Sequence, residues 1–321
     1  MDLVSDVLAV SGVRGALGAR IEAGGSWSIA LDDYPGAALH AVTAGSAWLT
    51  VAGRDPLELA AGDVVLLPAG TRHTLGSATG ARPEPYDPAA ASGEVIALGT
   101  RPARTRIVTI HYDCDHTART QVLRALPGFV HVGADDGAAG LDDTVRLLGR
   151  ELAHPQIATT AVLNSLVDIM LIQLVRAWLP TRPAEPRGTW LGMLGDPIVR
   201  RALEHIHAAP ARPWTTATLA AAIAVSRATL SRRFPAAIGQ SPAAYLTQWR
   251  MDLAAARLRT TQDPVEAIAA AVGYHSVPAF SRAFTRARGQ APGRYRAAAY
   301  STSVMSPSLI MLPAPGSNPP S

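Results

Sequence analysis

The 321 residues, 48% of them hydrophobic, are enough for two or three domains, and the single cysteine, Cys114, excludes a disulfide framework and a cysteine-rich zinc site. All 29 basic residues are arginine: residues 1–195 hold 15 of them against 20 acidic residues, whereas residues 196–298 hold 14 against 5. This imbalance predicts a polyanionic partner for the second segment only, and the lack of a basic or apolar leader after Met1 predicts a cytoplasmic protein.

Short strands dominate the first third of the sequence. A short helix is predicted at Asp2–Val13, and seven runs with strand character follow it, separated by Gly, Pro and Asp. They are Trp27–Leu31, Leu39–Val42, Ala47–Val51, Leu57–Leu59, Val64–Leu67, Val95–Leu98 and Arg106–Tyr112. Many short strands with turn signals between them are typical of a β-sandwich or a β-barrel.

One of the turns carries a motif. Gly62, Pro68, Gly70 and His73 stand in the pattern Gly-x5-Pro-x-Gly-x2-His, which resembles the second sequence motif of the cupins, a family of small β-barrels. Cupin enzymes hold a metal with about three histidines and a carboxylate. The histidine pair and the acid of the first cupin motif are missing, since His40 stands alone. We therefore predict no metal site, no cofactor and no catalytic residue.

A barrel motif that lacks its metal ligands favours a binding function over catalysis. The resemblance implies a pocket for a small organic effector, and His40, Trp48 and His73 are its candidate residues. The alternative is that His40 and His73 are hydrogen-bonded residues of the barrel without a ligand role.

Two helical stretches follow, Leu141–Ala153 and Thr159–Leu179. The second is apolar almost all round, but four polar or charged side chains interrupt it at short intervals, which argues against a membrane span. A helix that is apolar on more than one face must bury both faces. One face can cover the barrel and the other can pair with a second subunit, so we predict a homodimer; the alternative is a purely internal helix.

The basic segment contains one pattern twice, in Leu219–Tyr245 and in Ile268–Tyr295. In each copy, apolar residues at helical spacing precede a short turn, and a serine (Ser226 or Ser276) then stands where it can cap a second helix. Each copy therefore predicts a helix, a tight turn and a helix. The second copy has one more residue in its turn, and Gly273 stands there to supply a positive φ angle.

At these residues the chain resembles the DNA-binding domain of the AraC/XylS family of bacterial transcription regulators. The resemblance covers about a hundred residues and is carried by Ala271-x-Gly-Tyr, by Phe280-Ser-Arg-Ala-Phe284 and by the two Gly-x-x-Pro-x-x-Tyr repeats. It implies a sequence-specific regulator that binds double-stranded DNA and has RNA polymerase as a partner. Cupin-type barrels are known N-terminal domains in this family. Regulators resembling this subgroup often carry a Cys-Gly pair where this chain has Thr109-Ile110, so a thiol switch is not expected, and Cys114 is expected to be buried and inert.

Short polar side chains and arginines remain on one face of each predicted second helix, once the apolar core positions are removed. Such a face suits the major groove of DNA. The candidate DNA-binding residues are Arg227, Ala228, Ser231, Arg232 and Arg233 in the first copy, and Ala279, Ser281, Arg282, Thr285 and Arg286 in the second. The resemblance assigns base contacts to Arg232 and Arg282, whereas Arg227 and Arg286 suit phosphate contacts.

The predicted fold class is α+β, with a cupin-like β-barrel and dimerisation helices followed by an all-α domain with two helix-turn-helix motifs. The predicted segments are a sensor domain at 1–140, dimerisation helices at 141–179, a proline-rich linker at 180–195, the DNA-binding domain at 196–298 and a disordered tail at 299–321. The predicted function is effector-responsive transcription regulation in the cytoplasm, not catalysis. The alternative is a cupin enzyme, or a small-molecule-binding module, with an accessory basic domain.

Overall fold

The structure is a computed structural model that describes residues 3–11, 13–31, 36–86, 95–113, 129–136, 138–179 and 195–305. These residues form eleven strands and ten helices, together with the turns and loops that connect them. These residues fall into two units: residues 14–179 form a strand-rich unit, and residues 3–11 with 195–305 form a helical unit. Cys114, nearly all of the predicted linker and the last sixteen residues of the predicted tail (306–321) lie outside the described residues.

Two sheets form the strand-rich unit. Their strands are β1 (Arg14–Gly24), β2 (Ser28–Leu31), β3 (Ala37–Ala44), β4 (Ser46–Val51), β5 (Leu57–Ala60), β6 (Val64–Leu67), β7 (His73–Gly76), β8 (Glu84–Tyr86), β9 (Val95–Gly99), β10 (Thr105–Asp113) and β11 (Val130–Val132). One sheet has the order β11-β6-β3-β10-β1-β9 and the other the order β5-β4-β7-β2-β8. Both sheets contribute side chains to one shared apolar core. The described strands therefore enclose an interior, as expected of a cupin-like barrel.

Strict alternation along the central strands decides which side chains face the interior. On β1, Ile21 and Ala23 are fully buried in the core, whereas Arg20 and Glu22 lie between them on the outer face. On β10, Ile107 is a core residue and Arg106 is exposed beside it. The outer face of the six-stranded sheet is thus partly charged.

Helices α2 (Ala139–Ala153) and α3 (Thr159–Trp178) belong to the strand-rich unit and pack against each other and against its larger sheet. The Tyr112 hydroxyl on β10 donates to the Val167 carbonyl of α3 over 2.7 Å, which ties this helix to the sheet. The opposite face of α3 leaves Ile169 and Ile172 about two-fifths exposed, at 41% and 42%. Length and composition alone would allow α3 to cross a membrane, but nine of its residues are buried within this unit.

The helical unit contains eight helices. They are α1 (Leu3–Ser11), α4 (Pro197–Ala208), α5 (Thr216–Ala222), α6 (Arg227–Ile238), α7 (Pro242–Thr260), α8 (Val265–Ala271), α9 (Val277–Arg288) and α10 (Pro292–Met305). Helix α10 continues seven residues past 298, so the structured region ends later than the sequence predicted. A disordered segment cannot begin at 299 while this helix is intact.

The N-terminal helix lies in the helical unit, although the sequence assigned residues 1–140 to the sensor domain. Helix α1 packs against α4 and α7, and it buries Leu3, Val7 and Val10. The Arg259 guanidinium donates to the Val10 carbonyl over 3.0 Å. Amphipathic spacing predicted the helix correctly, but the partner of its apolar face is a tertiary property.

Candidate nucleic-acid interface

The first helix-turn-helix motif consists of α5 and α6. Its turn contains Ala224 with a positive φ of 55°, a left-handed conformation that costs a residue with a Cβ atom about 1–2 kcal/mol. Ser226 begins α6, because its hydroxyl accepts from the Thr229 N–H over 3.0 Å. Leu230 and Phe234 are fully buried, as their i, i+4 spacing predicts. The remaining face of α6 points away from this core.

The second motif, α8 and α9, repeats this construction. Gly273 takes the left-handed position with φ of 86°, and the Ser276 hydroxyl accepts from the Ala279 N–H over 3.4 Å. Phe280 and Phe284 are fully buried. The two recognition helices therefore begin with the same kind of serine cap, and each buries an apolar pair at equivalent positions.

Most of the predicted contact residues lie on free surface. Arg227, Ala228, Ser231 and Arg232 are exposed on α6, and Arg282, Thr285 and Arg286 are exposed on α9. Ala279 and Ser281 are half-buried. The exposed residues of each helix form a polar, arginine-bearing face with no carboxylate among them, which leaves the face open to a phosphate backbone and to base edges.

Arg233 differs from the other predicted contact residues. Its Nε donates to an Asp196 carboxylate oxygen over 2.8 Å, and the other oxygen of that carboxylate caps α4 by accepting from Ile198 and Val199. The ion pair ties the first recognition helix to α4. Arg233 thus has a structural role in this conformation and is not simply a free DNA-contacting side chain.

Helix α7 connects the two motifs. Its 19 residues correspond to a length of about 28 Å at 1.5 Å per residue. One turn of B-DNA is about 34 Å, which is the spacing at which two recognition helices enter successive major grooves on one side of the duplex. The Ser241 hydroxyl caps α7, and Pro242 occupies its first turn.

A histidine that sequence reasoning missed fixes α4 against α7 and α1. The His207 ring stacks on Trp249 with 3.7 Å between ring centroids, and its Nε2 lies 2.8 Å from the Tyr245 hydroxyl. Its Nδ1 lies 3.2 Å from the Asp6 carboxylate. Burial lowers the pKa of His207 to about 4, although Asp6 opposes this shift. A neutral ring that donates to Asp6 and accepts from Tyr245 satisfies both nitrogens. No sequence motif marks this position.

In the strand-rich unit, the structure brings His40 and His73 together inside the barrel. Their Nε2 atoms are 2.8 Å apart, and the other ring nitrogens face the Thr109 hydroxyl at 3.0 Å and the Thr71 carbonyl at 2.8 Å. A carbonyl only accepts, so Nδ1 of His73 carries a proton. Its Nε2 then accepts from His40, which in turn accepts from Thr109. Both neutral rings are fully hydrogen-bonded.

Burial lowers the pKa of His40 well below its usual value, and the nearby His73 and His111 add to this effect. Burial and the neighbouring histidines thus favour the neutral form of His40, in which the hydrogen-bond network is complete. These contacts favour the alternative in which His40 and His73 are structural residues. Among the described residues, no group of three or more potential metal ligands comes together.

Trp48 does not join the two histidines. It alternates on β4 with Ala47 and Leu49, which belong to the interior core, and is itself only partly buried. Its side chain therefore lies on the opposite face of the strand from the barrel interior. The predicted trio of effector residues is separated into an internal pair and an outward tryptophan.

Residues 2–180 match the family model of a cupin domain, and residues 219–298 match that of a helix-turn-helix domain. The chain is 38% identical over 299 residues, 92% of its length and 98% of the relative, to an AraC-like transcription regulator of Streptomyces antibioticus. It is 29% identical over 283 residues, 85% of its length and 91% of the relative, to the HTH-type transcriptional regulator AlkR of Acinetobacter baylyi. Among solved structures, it is similar to the DNA-binding domain of AdpA in complex with a target DNA, with 29% identity over 35% of this chain and 99% of that one, and a TM-score of 0.32.

Proposed function

Because the chain belongs to the AraC-like transcription regulators, with a cupin domain followed by a helix-turn-helix domain, we propose that it reads two adjacent DNA sub-sites in response to an effector bound by its N-terminal unit. One observation carries the DNA part of this proposal. Two helix-turn-helix motifs expose similar arginine-bearing faces, and a helix of about one DNA turn in length joins them. RNA polymerase is the proposed protein partner, in the bacterial cytoplasm.

Arg232 and Arg282 are the proposed base-reading residues. They occupy the same position relative to the buried core pairs of α6 and α9, and both are exposed. The planar guanidinium can donate two hydrogen bonds to O6 and N7 of guanine, which no other side chain does as well. Ala228, Ser231, Ala279 and Ser281 lie beside these arginines. Ser231 and Ser281 match, but Ala228 and Ala279 align with Pro278 and Thr229, so the two sub-sites are expected to differ in sequence.

Arg232→Ala is expected to weaken binding by about 1–3 kcal/mol and to relax base preference in one sub-site, and Arg282→Ala is expected to do the same in the other. Arg227→Ala serves as the comparison. Loss of a phosphate contact should weaken binding to all DNA sequences alike and should reduce the slope of the salt dependence by about one unit. Selection of sites from random DNA by each variant measures these effects. Unchanged preferences in both sub-sites for Arg232→Ala and Arg282→Ala would show that other residues read the bases.

The exposed face of α3 is the proposed homodimer interface. Val162, Ile169 and Ile172 recur along it and are among the few large apolar side chains with substantial exposure. A symmetric dimer buries this stripe twice, which removes its apolar surface from water. Two copies would also present four helix-turn-helix motifs to DNA.

Replacement of both Ile169 and Ile172 by aspartate is expected to raise the dimer dissociation constant by about a hundredfold or more, since each buried isoleucine contributes about 1.5–3 kcal/mol. Sedimentation of the full chain at micromolar concentration measures the change. The matched control is Ile157→Asp, because Ile157 lies outside the α3 stripe and is 98% exposed. A wild-type chain that sediments as a monomer would exclude this interface.

A small-molecule effector is the proposed signal. The relatives described above are transcription regulators, and a switch of this kind typically changes DNA affinity by about 1–3 kcal/mol. Binders found by thermal shift should therefore change the affinity for the selected DNA site. If every binder leaves that affinity and transcription unchanged, the N-terminal unit is not a sensor.

A further inference from the structure

A cleft of about 730 Å³ lies between the larger sheet and α2, on the outside of the barrel. Alternation on the strands points Arg20 of β1 and Arg106 of β10 toward it, and one face of α2 adds Arg146 and Arg150. Its size is within the range of small-molecule sites, which are about 300–1,000 Å³.

The charges of this arginine cleft are incompletely balanced. Two carboxylates, Glu22 and Asp142, also line the cleft. Asp142 pairs with Arg146 over 2.9 Å, and Glu22 lies 3.5 Å from Nε of Arg20. Within the part of the chain that the structure describes, the side chains of Arg106 and Arg150 take part in no hydrogen bond or ion pair. Four guanidinium groups therefore share two carboxylates, one of which, Glu22, is the cross-strand neighbour of Arg106.

Arg20 is held in position at the edge of the cleft. Its Nη1 donates to the Leu152 carbonyl at the end of α2 over 2.7 Å, which fixes the side chain across the cleft. Its Nε is buried and makes no hydrogen bond, but it forms an ion pair with Glu22.

The surrounding charge makes this cleft distinctive. Residues 1–195 are net acidic, with 15 arginines against 20 acidic residues, yet four of those arginines converge on one cleft. An extended polyanion such as DNA would be repelled by the acidic residues in the remainder of the unit. Val108, Val145 and Leu152 also line the cleft and offer apolar contact to a carbon skeleton. These features fit a small organic anion better than a nucleic acid.

We propose that the arginine cleft binds a small organic anion carrying two or more carboxylate or phosphate groups, and that this anion is the effector. The anion site is inferred from the cleft alone, whereas the effector role of the anion rests on the proposed regulatory function. Paired guanidiniums match such groups because each can donate two parallel hydrogen bonds. The anion would join α2 to the sheet, and α2 packs directly against α3, the helix of the proposed dimer interface.

Isothermal titration of the full chain with citrate and with fructose 1,6-bisphosphate tests the site, and the two probes separate carboxylate from phosphate recognition. The selected DNA site is present in saturating amount to occupy the basic helical unit, and sodium sulfate at equal ionic strength serves as the simple-ion control. At least one probe is expected to bind once per chain and more tightly than sulfate. The double variant Arg106→Gln/Arg150→Gln should weaken that binding by about tenfold or more.

The double variant Arg82→Gln/Arg101→Gln removes the same charge from exposed positions outside the cleft and should bind like the wild type. The site would be disproved if Arg106→Gln/Arg150→Gln bound the probe as tightly as the wild type does. It would also be disproved if neither probe bound more tightly than sulfate. DNA binding without the probes is measured separately. A chain that binds its DNA site but not the anion disproves this inference alone, whereas a chain that binds no DNA specifically disproves the proposed function. Anion binding that leaves DNA affinity unchanged would keep the site and remove its effector role.

Discussion

Replacing Gly273 by alanine is expected to destabilise the helical unit by about 3 kcal/mol. Gly273 has a φ of 86°, where a Cβ atom costs about 1–2 kcal/mol. An added Cβ would also lie 2.6 Å from the Ala211 carbonyl oxygen and 2.7 Å from the Ala211 Cα, so backbone must move. Overpacking of this kind typically adds about 1–3 kcal/mol.

The neighbouring contacts leave little room for that movement. Arg250 holds the segment around Ala211 in place by donating to the carbonyls of Pro210 over 2.7 Å and of Arg212 over 3.0 Å. Its Nη2 would itself lie 2.9 Å from the new Cβ. Either the second turn opens or the segment between α4 and α5 shifts, and both changes displace a helix-turn-helix motif.

The first motif supplies a matched control, because Ala224 occupies the corresponding left-handed position with φ of 55°. Ala224→Gly relieves local strain but increases the entropy of the unfolded chain, so a net change within about 1 kcal/mol is expected. Urea unfolding of the full chain, followed by tryptophan fluorescence, measures both variants. If Gly273→Ala changed stability no more than Ala224→Gly does, the close approach to Ala211 would not limit packing in solution.

The helix-turn-helix motifs were predictable because their signals are local. A cap, a core pair and a turn residue all fall within about twenty positions, and the pattern is written twice. The structure also shows where the extra residue of the second turn fits. The Val225 N–H donates to the Ala220 carbonyl over 3.0 Å, and the Tyr274 N–H donates to the equivalent Ala269 carbonyl over 2.9 Å. Both turns therefore share this hydrogen bond, and the extra residue of the second turn follows Tyr274.

The sequence was less informative where a role depends on distant residues. The repeat placed Arg233 on the recognition face, but its partner Asp196 lies 37 positions earlier. Strand β1 was missed because small residues and glycines reduce its apolar alternation, although it pairs with β9 and β10 in the larger sheet. The arginine cleft combines residues from three strands and a helix, so no local pattern could reveal it.

Arg288→Met is expected to destabilise the helical unit by about 3 kcal/mol, because it removes the ion-pair partner of the largely buried Asp252 carboxylate and leaves Gln248 as its hydrogen-bond donor. Arg288 lies in the last turn of α9, its side chain is fully buried, and its Nη2 donates to Asp252 of α7. This pair links the second recognition helix to the helix that spaces the two motifs. Arg282, six residues earlier on the same helix, is exposed and has no such contact, so Arg282→Met is the matched control and should change stability by less than about 0.5 kcal/mol.

The pH dependence separates a lost charge partner from simple loss of packing. Burial raises the pKa of Asp252, and Arg288 partly opposes that shift. Without Arg288 the folded-state pKa should rise further above its unfolded value, so the folded variant takes up a proton as pH falls through that higher pKa. The loss of folding stability caused by Arg288→Met should therefore be largest at pH 7 and should become smaller toward pH 5. Asp252→Asn combined with Arg288→Met removes the buried charge and should recover part of the loss at pH 7. A deficit that is independent of pH and unaffected by Asp252→Asn would mean that Arg288 stabilises the helix contact through packing alone.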